Sequence, residues 1–198
     1  MATPDRPPRG EARRAVILEA ALQVVADEGV GAITHRRVAA AAGLPVAATT
    51  YWFASKDELL TAAYRLAADR DIARMRTLTA SAATRGPGGL PGALTDLLTA
   101  DLSGSRAALV AAYSLWLEAA RRPELRAIER EWTAVYVDLL DDLLTRAGSR
   151  QPQTDARLLV ATLDGLLLAS LAAPQDDPAA TLRPLLERLV GALLARGA

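Results

Sequence analysis

Apolar residues recur along this chain at every third or fourth position, which is the spacing of one face of an α-helix. No stretch alternates β-branched and polar residues as a half-buried strand does. Glycines and prolines interrupt the periodic runs, as they do where helices end and begin. The pattern predicts nine helices, over residues 11–28, 35–42, a short segment that opens at Pro45, 57–83, 90–102, 105–122, 123–147, 154–173 and a last one from 178 or 181 to 196.

The two shortest predicted helices are bounded by clear local signals. Thr34 stands where an N-cap is expected, in front of a run rich in alanine and valine. Gly43 then provides a tight turn, because glycine enters left-handed backbone conformations without a steric penalty. Pro45 is tolerated in the first turn of a new helix, and Ser55 and Glu58 have the spacing of a capping box that opens the next one. Two short helices joined by a tight turn indicate a helix-turn-helix motif.

The second of these short helices has two different faces when its residues are placed at intervals of about 100°. Val46, Thr49 and Phe53 share one side and are predicted to face the core. The other side carries small or hydroxyl-bearing side chains, those of Ala47, Ala48, Thr50 and Tyr51. Such a face can approach bases closely, because methyl groups contact thymine methyls and hydroxyls reach phosphates or base edges.

The segment from Gly29 to Lys56 contains no Asp or Glu, although it carries Arg36, Arg37 and the single histidine of the chain. A carboxylate-free segment with cations at both ends is typical of a surface that binds phosphates. Direct recognition of guanine needs Arg or Lys, and Arg36 is the best candidate for it. The predicted DNA-contacting residues are Thr34, His35, Arg36, Arg37, Ala47, Ala48, Thr50, Tyr51, Trp52 and Lys56.

The run AITHRRVAAAAGLPVAATTYWFASKDELL, residues 32–60, resembles the N-terminal DNA-binding domain of TetR-type bacterial regulators. The resemblance extends over residues 11–65, and the spacing from Thr34 through Gly43, Tyr51 and Phe53 to Leu59 is specific. It implies a helix-turn-helix domain followed by a helical domain that forms a homodimer and binds an inducer.

Two positions depart from the common pattern of this family. Many members have Gly or Pro where this chain has Ala47, and Tyr where it has Thr50. The tyrosine that usually binds phosphate is therefore missing at that place, and Tyr51 next to it is the expected substitute.

Composition, prolines and helical periodicity predict the domain organisation. Apolar residues make up 51% of the chain and aromatic residues only 4%, so the core of an all-α fold must be built from Ala, Leu and Val. Residues 1–10 contain prolines and no periodicity, and are predicted to form a disordered arm. Residues 11–56 are the predicted helix-turn-helix DNA-binding domain, and residues 57–198 are the predicted ligand-binding and dimerisation domain, with an uninterrupted fourth helix leading from one to the other.

Several kinds of chemistry are excluded by composition. The chain has no cysteine, which excludes disulfides, thiol catalysis and cysteine-bound metals, and one histidine excludes a paired-histidine metal centre. Neither a metal nor a cofactor is expected. No signal peptide is apparent, because Glu11 and Glu19 interrupt the first apolar stretch, and Asp164 breaks the most apolar segment. No membrane association is expected, and the expected location is the cytoplasm of a bacterium.

Aromatic residues beyond the DNA-binding domain include two pairs, three and four residues apart, that each line one side of a predicted helix. They have two interpretations: walls of a small-molecule pocket with Glu118 or Arg106 as polar anchors, or ordinary core residues of an alanine-rich bundle. Spacing alone does not decide between these, whereas the resemblance implies that the region binds an inducer. The predicted ligand-binding residues are Tyr64, Tyr113, Trp116, Glu118, Trp132 and Tyr136.

The last two helices carry wide apolar faces, which exceed what two terminal helices need against one core. Ala161, Gly165 and Ala169 form a row of small residues that allows a partner helix to approach closely. These features predict a two-fold contact of four helices between protomers, as the resemblance also implies. The predicted interface residues are Leu159, Thr162, Leu163, Leu166, Ser170, Leu185, Leu189 and Leu193.

Three functional hypotheses follow from the sequence. The leading one is a homodimeric repressor that binds a palindromic operator in double-stranded DNA and is released by a small molecule. The second is a DNA-binding regulator without a small ligand, controlled by a partner protein or by its abundance. The third, an all-α enzyme, is weak, because the chain has no cysteine, no glycine-rich phosphate loop and no Glu-x-x-His pair. The protein is therefore expected not to be an enzyme.

Overall fold

The computed structural model describes residues 9–195 of the chain. Within this range it consists of nine α-helices with short 3₁₀ turns and no strands, which confirms the all-α prediction. The arm predicted for residues 1–10 lies outside the described residues, apart from Arg9 and Gly10, which belong to the first helix. The helices are α1 (Arg9–Glu28), α2 (His35–Ala42), α3 (Val46–Trp52), α4 (Lys56–Thr84), α5 (Leu90–Ser103), α6 (Arg106–Ala119), α7 (Pro123–Arg146), α8 (Pro152–Ala172) and α9 (Pro178–Ala195).

Most helix boundaries lie where glycine and proline stand in the sequence. Gly29 and Gly43 follow α1 and α2 with φ angles of 83° and 65°, a left-handed conformation that favours glycine. Proline is the first residue of α7, α8 and α9, where its missing N–H has no helical acceptor in any case. The pattern predicts that α6 reaches residue 122, but it ends at Ala119, because Pro123 disfavours helical geometry in the residue before it.

The helices group into two compact units. The first unit takes the described residues up to Ala68 together with Ala107–Glu129, and the second takes Asp69–Arg106 and the described residues from Arg130 onward. Helices α4 and α7 therefore contribute residues to both units. The functional division into residues 11–56 and 57–198 stays a prediction. In the described part of the chain, no helix has the length and apolarity that a bilayer-crossing segment needs.

In the first unit, α1, α2 and α3 pack on one another. Two polar contacts also connect the first turns of α4 to the α6–α7 segment. Nη1 of Arg122 donates a hydrogen bond to Asp57 Oδ1 at 2.6 Å, and the hydroxyl of Tyr64 donates to Glu129 Oε2 at 2.6 Å. The helix-turn-helix is thus followed immediately by a helix that is anchored to the α6–α7 segment. The core includes Ile17, Ala21, Val24, Val38, Phe53 and Leu59, all fully or almost fully buried.

In the second unit, α5 packs against α8 and α9. The core consists mainly of leucines, including the almost fully buried Leu98, Leu140, Leu144, Leu159, Leu182 and Leu186. Residues of α4, α5 and α7, among them Met75, Leu97 and Leu143, line an apolar cleft with room for about one water molecule. Pockets for drug-sized ligands measure roughly 300–1,000 Å³, so these helices would have to separate to admit such a molecule into the cleft.

Candidate functional site

Local hydrogen bonds fix α2 and the turn that leads to α3. Thr34 Oγ1 accepts a hydrogen bond from the backbone N–H of Arg37 at 3.1 Å, which caps α2 as the sequence predicts. At the other end, the N–H of Gly43 donates to backbone carbonyls of the last turn of α2. Helix α3 begins three residues later at Val46. The predicted helix-turn-helix is therefore confirmed together with its cap and its glycine turn.

Helix α3 is attached to the first unit through Thr49 and Phe53. Both side chains are buried, with exposed fractions of 0% and 1%, as predicted. Oγ1 of Thr49 donates to the Val46 carbonyl at 2.8 Å and lies 3.3 Å from Nδ1 of His35, so the half-buried histidine joins α2 to α3. For Val46 the prediction is wrong, because its side chain is 44% exposed. As the first helical residue, Val46 directs its Cβ back toward the turn and away from the core.

The opposite side of α3 faces solvent. Ala47 and Thr50 are exposed, Ala48 is half-buried, and Tyr51 is 80% exposed. Arg36 is exposed on α2, one helix earlier in the motif. A tyrosine with this little packing contributes little to the core, so its ring and hydroxyl remain available to a partner. We call Arg36, Ala47, Thr50 and Tyr51 the recognition surface.

Two further cations of the motif differ in how they are held. Nε of Arg37 donates to Glu28 Oε1 at 2.7 Å, and this hydrogen bond holds the pKa of Glu28 below its usual value. Sequence reasoning misses this pair, because Glu28 lies just before the carboxylate-free segment. Lys56 is exposed at the first position of α4. Arg37 is therefore partly neutralised within the protein, whereas Lys56 has no such partner among the described contacts.

Trp52 is half-buried and has a supporting role in the motif. It lies against Gly10 of α1, where an added Cβ would stand 3.3 Å from Cζ2 of the indole ring. The Trp52 ring meets the Tyr51 ring edge-on, with the two centroids 5.2 Å apart. Of the two neighbours, Tyr51 therefore faces outward, whereas Trp52 packs against α1 and contacts the Tyr51 ring edge-on.

Three of the predicted ligand-binding aromatics lie in the first unit. Tyr64 is fully buried and donates its hydroxyl hydrogen bond to Glu129, so within this unit it is a core residue. Tyr113 and Trp116 form an edge-to-face pair on α6, with ring centroids 6.1 Å apart. Trp116 remains 38% exposed, which leaves part of its ring surface open.

The two polar anchors proposed from the sequence are both engaged in other contacts. Glu118 accepts a hydrogen bond from Nε of Arg122 at 2.7 Å and also forms an ion pair with Arg121. Arg106 donates from Nη2 to the backbone carbonyl of Leu171 at 2.9 Å, in the last turn of α8. The charge of Glu118 is therefore compensated by arginines of the protein, and Arg106 is engaged with a backbone carbonyl.

Trp132 and Tyr136 lie in the second unit and meet at one carboxylate, that of Asp71 in α4. Nε1 of Trp132 donates to Asp71 Oδ2 at 3.0 Å, and the Tyr136 hydroxyl donates to the same oxygen. Arg74 donates from Nε to Asp71 Oδ1 at 3.2 Å and also forms an ion pair with Asp101 of α5. We call these five residues the Asp71 cluster.

Sequence reasoning identified the two aromatic members of the Asp71 cluster but not its three charged members. A signal for Asp71 was available, because it is the charged member of an otherwise mostly apolar stripe on α4. That stripe has alternating four- and three-residue spacing and consists of Tyr64, Ala68, Asp71, Met75, Leu78 and Ala82. A charge in such a stripe needs partners inside the protein or in a ligand.

Two tyrosines are held in their neutral form by their surroundings. Burial raises the pKa of Tyr64, and the hydrogen bond to Glu129 raises it further. Burial also raises the pKa of Tyr136, and the negative charge of Asp71 adds to the effect. Raised pKa values stabilise the fold below the unfolded pKa, about 10 for tyrosine, and this stabilisation is lost as the pH rises above it.

We expect the free energy of unfolding to fall by about 1.4 kcal/mol per pH unit above pH ~10 for each of these two tyrosines. In the Tyr64→Phe variant the free energy of unfolding should fall less steeply with pH, because one of the two tyrosine contributions is absent. Denaturant unfolding at a series of alkaline pH values measures this slope. Tyr51→Phe is the matched control, because it makes the same substitution at a tyrosine that is 80% exposed. An identical slope for Tyr64→Phe and the wild type would contradict the interpretation.

The predicted dimer residues divide between the interior and the surface of the second unit. Leu159, Leu163 and Leu193 are corrected to core residues, because they are at most 5% exposed within the single chain. Helix α8 is apolar on more than one face, so periodicity alone assigns Leu159 and Leu163 to the wrong side. Leu185 is 47% exposed, and the half-buried members are Thr162, Leu166, Ser170 and Leu189.

An apolar outer face nevertheless remains on α8. The small residues Ala161, Gly165 and Ala169 are all exposed. Leu158 and Leu168 on the same helix are 47% and 38% exposed. A partner helix could therefore approach this face closely and cover the exposed leucines beside the row of small residues.

Two family models match the chain. One, described as bacterial regulatory proteins, tetR family, matches residues 17–63. The other, described as tetracyclin repressor-like, C-terminal domain, matches residues 85–192. Together they cover the helix-turn-helix and most of the remaining helices.

Individual proteins are similar over nearly the whole chain. The HTH-type nicotine-responsive transcriptional repressor HdnoR of Paenarthrobacter nicotinovorans is 28% identical over 190 residues, which cover 93% of this chain and 95% of that protein. A solved TetR-family member from Streptomyces coelicolor is 38% identical with a TM-score of 0.75, covering 92% of this chain and 98% of that one. The multidrug binding protein EbrR in complex with ethidium is 38% identical with a TM-score of 0.70, covering 89% and 98%. Further EbrR structures contain imidazole, malachite green or proflavin.

Proposed function

Because the chain belongs to the TetR family of bacterial transcriptional regulators, we propose that it is a homodimeric repressor released from its operator by an aromatic cation. It is a DNA-binding regulator and not an enzyme, as the family models and relatives show. Each protomer would place α3 in the major groove of one half of a palindromic site. Because operator DNA lies in the bacterial cytoplasm, we propose that the protein acts there.

The recognition surface is proposed to divide its contacts between bases and phosphates. Arg36 is the exposed cation of α2 and is assigned to a guanine edge. The Tyr51 hydroxyl is assigned to a phosphate of the DNA backbone. It would take over the contact of the tyrosine that many family members have at the position of Thr50. Ala47 and Thr50 leave room for close approach to the bases. Lys56 would add a phosphate contact at the start of α4.

The Asp71 cluster is the observation that supports the ligand part of the proposal. Asp71 accepts hydrogen bonds from the Trp132 indole and the Tyr136 hydroxyl, so one carboxylate is in contact with two aromatic side chains. A negative charge next to aromatic side chains is suited to a flat, positively charged molecule. The relatives support this class of ligand, since ethidium, malachite green and proflavin are aromatic cations and nicotine carries a basic amine.

Helices α4 and α7 are the proposed route from the ligand to the DNA-binding motif. Asp71 follows Tyr64 by two turns on α4, and Tyr136 follows Glu129 by two turns on α7. Tyr64 and Glu129 are hydrogen-bonded to each other in the third turn of α4. A ligand would shift the spacing of the two recognition helices only if it binds the two arrangements with different affinity.

The Asp71→Asn variant tests this proposal. Its affinity for ethidium, measured without DNA by the fluorescence of the dye, should fall about 10- to 100-fold, because one charge-assisted contact is lost. Malachite green should release the wild type from a DNA duplex selected for tight binding and should no longer release the variant. Operator affinity in the absence of dye should stay the same.

The matched control is Asp69→Asn, which removes an exposed carboxylate from the same helix. It should bind ethidium as the wild type does. Equal dye binding and equal release by Asp71→Asn and the wild type would contradict the proposed ligand site. If no aromatic cation binds the wild type, a regulator controlled by a partner protein or by abundance becomes the better explanation.

A further inference from the structure

We infer that Arg74 is an internal occupant of the cation site in the Asp71 cluster. Its guanidinium lies where a bound aromatic cation would place its positive charge, so a ligand must displace it. The inference rests on the proposed function of this cluster. It adds that Arg74 competes with the ligand for the carboxylates of the cluster.

The contacts of Arg74 are those expected of an ionic ligand. Its guanidinium pairs with Asp71 of its own helix and with Asp101 of α5. The two other partners of Asp71, Trp132 and Tyr136, are neutral donors, so they orient the carboxylate without compensating its charge. Within the cluster Arg74 is therefore the group that neutralises negative charge, as a cationic ligand would.

The side chain of Arg74 is closer to solvent than that of its partner Asp101. Its side chain is 36% exposed, whereas that of Asp101 is only 8% exposed. Nη1 of Arg74 forms the ion pair with Asp101. Because the arginine side chain is long and flexible, its guanidinium can move into water, whereas the short side chain of Asp101 cannot follow. Displacement of Arg74 would therefore leave two fixed carboxylates that require a new cation.

This arrangement determines which molecules can trigger the protein. A neutral aromatic compound cannot replace the charge that Arg74 supplies, because moving Arg74 out would leave Asp101 buried without a counter-ion. A cationic compound restores the balance. Arg74 would thus select for charged ligands and raise the concentration at which they act.

The Arg74→Gln variant tests the inference with ethidium as the probe. Ethidium should bind this variant about 10- to 100-fold more tightly than the wild type, since the internal competitor has been removed. Arg76→Gln removes an exposed arginine from the same helix and should leave the affinity unchanged. Phenanthridine, a neutral relative of ethidium at pH 8, should not gain affinity for the Arg74→Gln variant.

A second variant, Arg74→Gln/Asp101→Asn, separates competition from a simple change in charge. The wild-type cluster contains two carboxylates and one guanidinium, and therefore carries one net negative charge. The double variant keeps that single charge on Asp71 and leaves no carboxylate of Asp101 unpaired, which protects its folding. It should still bind ethidium more tightly than the wild type.

The outcomes distinguish this inference from the proposed function. If the wild type binds ethidium and neither Arg74 variant binds it more tightly, the inference is overturned while the proposed ligand site stands. If neither the wild type nor the variants bind ethidium, both are overturned. Tighter binding by both variants together with weaker binding by Asp71→Asn supports both.

Discussion

Replacing Arg36 by alanine is expected to weaken operator binding by about 30-fold or more. A side chain that recognises a base edge contributes about 1–3 kcal/mol of discrimination, and a dimer loses this contribution in both half-sites. The total is about 2–6 kcal/mol, at about 1.4 kcal/mol for each factor of ten. The loss should be largest for duplexes that carry the preferred base, so the variant should also discriminate less at one position of each half-site.

The measurement is a titration of fluorescent duplexes at two salt concentrations, with the tightest duplex first selected from a random pool. Arg150→Ala is the charge-matched control, because Arg150 is exposed in the loop between α7 and α8. Arg37→Ala should have a smaller effect than Arg36→Ala, since Arg37 already pairs with Glu28. Wild-type affinity of the Arg36→Ala variant would contradict the assignment of Arg36 to a base edge.

The Leu185→Arg variant is expected to be monomeric. Leu185 is 47% exposed on α9, and it belongs to the dimer interface predicted from the sequence. Under two-fold symmetry each substitution occurs twice in one interface, so two unpaired charges would be buried at a cost of several kcal/mol each. Analytical ultracentrifugation should give twice the chain mass of 20.9 kDa for the wild type and the mass of one chain for the variant.

Loss of the dimer should also reduce operator affinity by roughly 100-fold or more, because a single α3 contacts only one half-site. The matched control is Leu117→Arg, which places the same charge at a leucine on α6 that is 63% exposed. It should remain dimeric and bind DNA normally. A dimeric Leu185→Arg variant would remove α9 from the proposed interface.

The helices were predictable because their boundaries depend on neighbouring residues. Thr34 caps α2, and glycines in left-handed conformation end α1, α2 and α7, which are properties of two or three adjacent positions. The largest deviation, the earlier end of α6, also has a local cause in Pro123. Resemblance to a family added what local signals do not contain, namely the dimer and the inducer.

The contacts that give the site its chemistry were not predictable from spacing. Asp71 meets Trp132 and Tyr136 across 61 and 65 positions of the chain. Such partners are set by how helices pack, and helical periodicity specifies a face without specifying what lies opposite. The leucines of α8 were assigned to the wrong face for the same reason. Two faces of this helix are apolar, and only the packing shows which of them α5 covers.

The attachment of α3 separates the residues that hold the helix from those that face outward. Thr49 and Phe53 anchor it, while Ala47, Thr50 and Tyr51 contribute little to the core. Evolution can therefore exchange the outward residues for others of different hydrogen-bonding character at almost no cost in folding. Under the proposed function, a few substitutions among these outward residues would redirect the same scaffold to a different promoter.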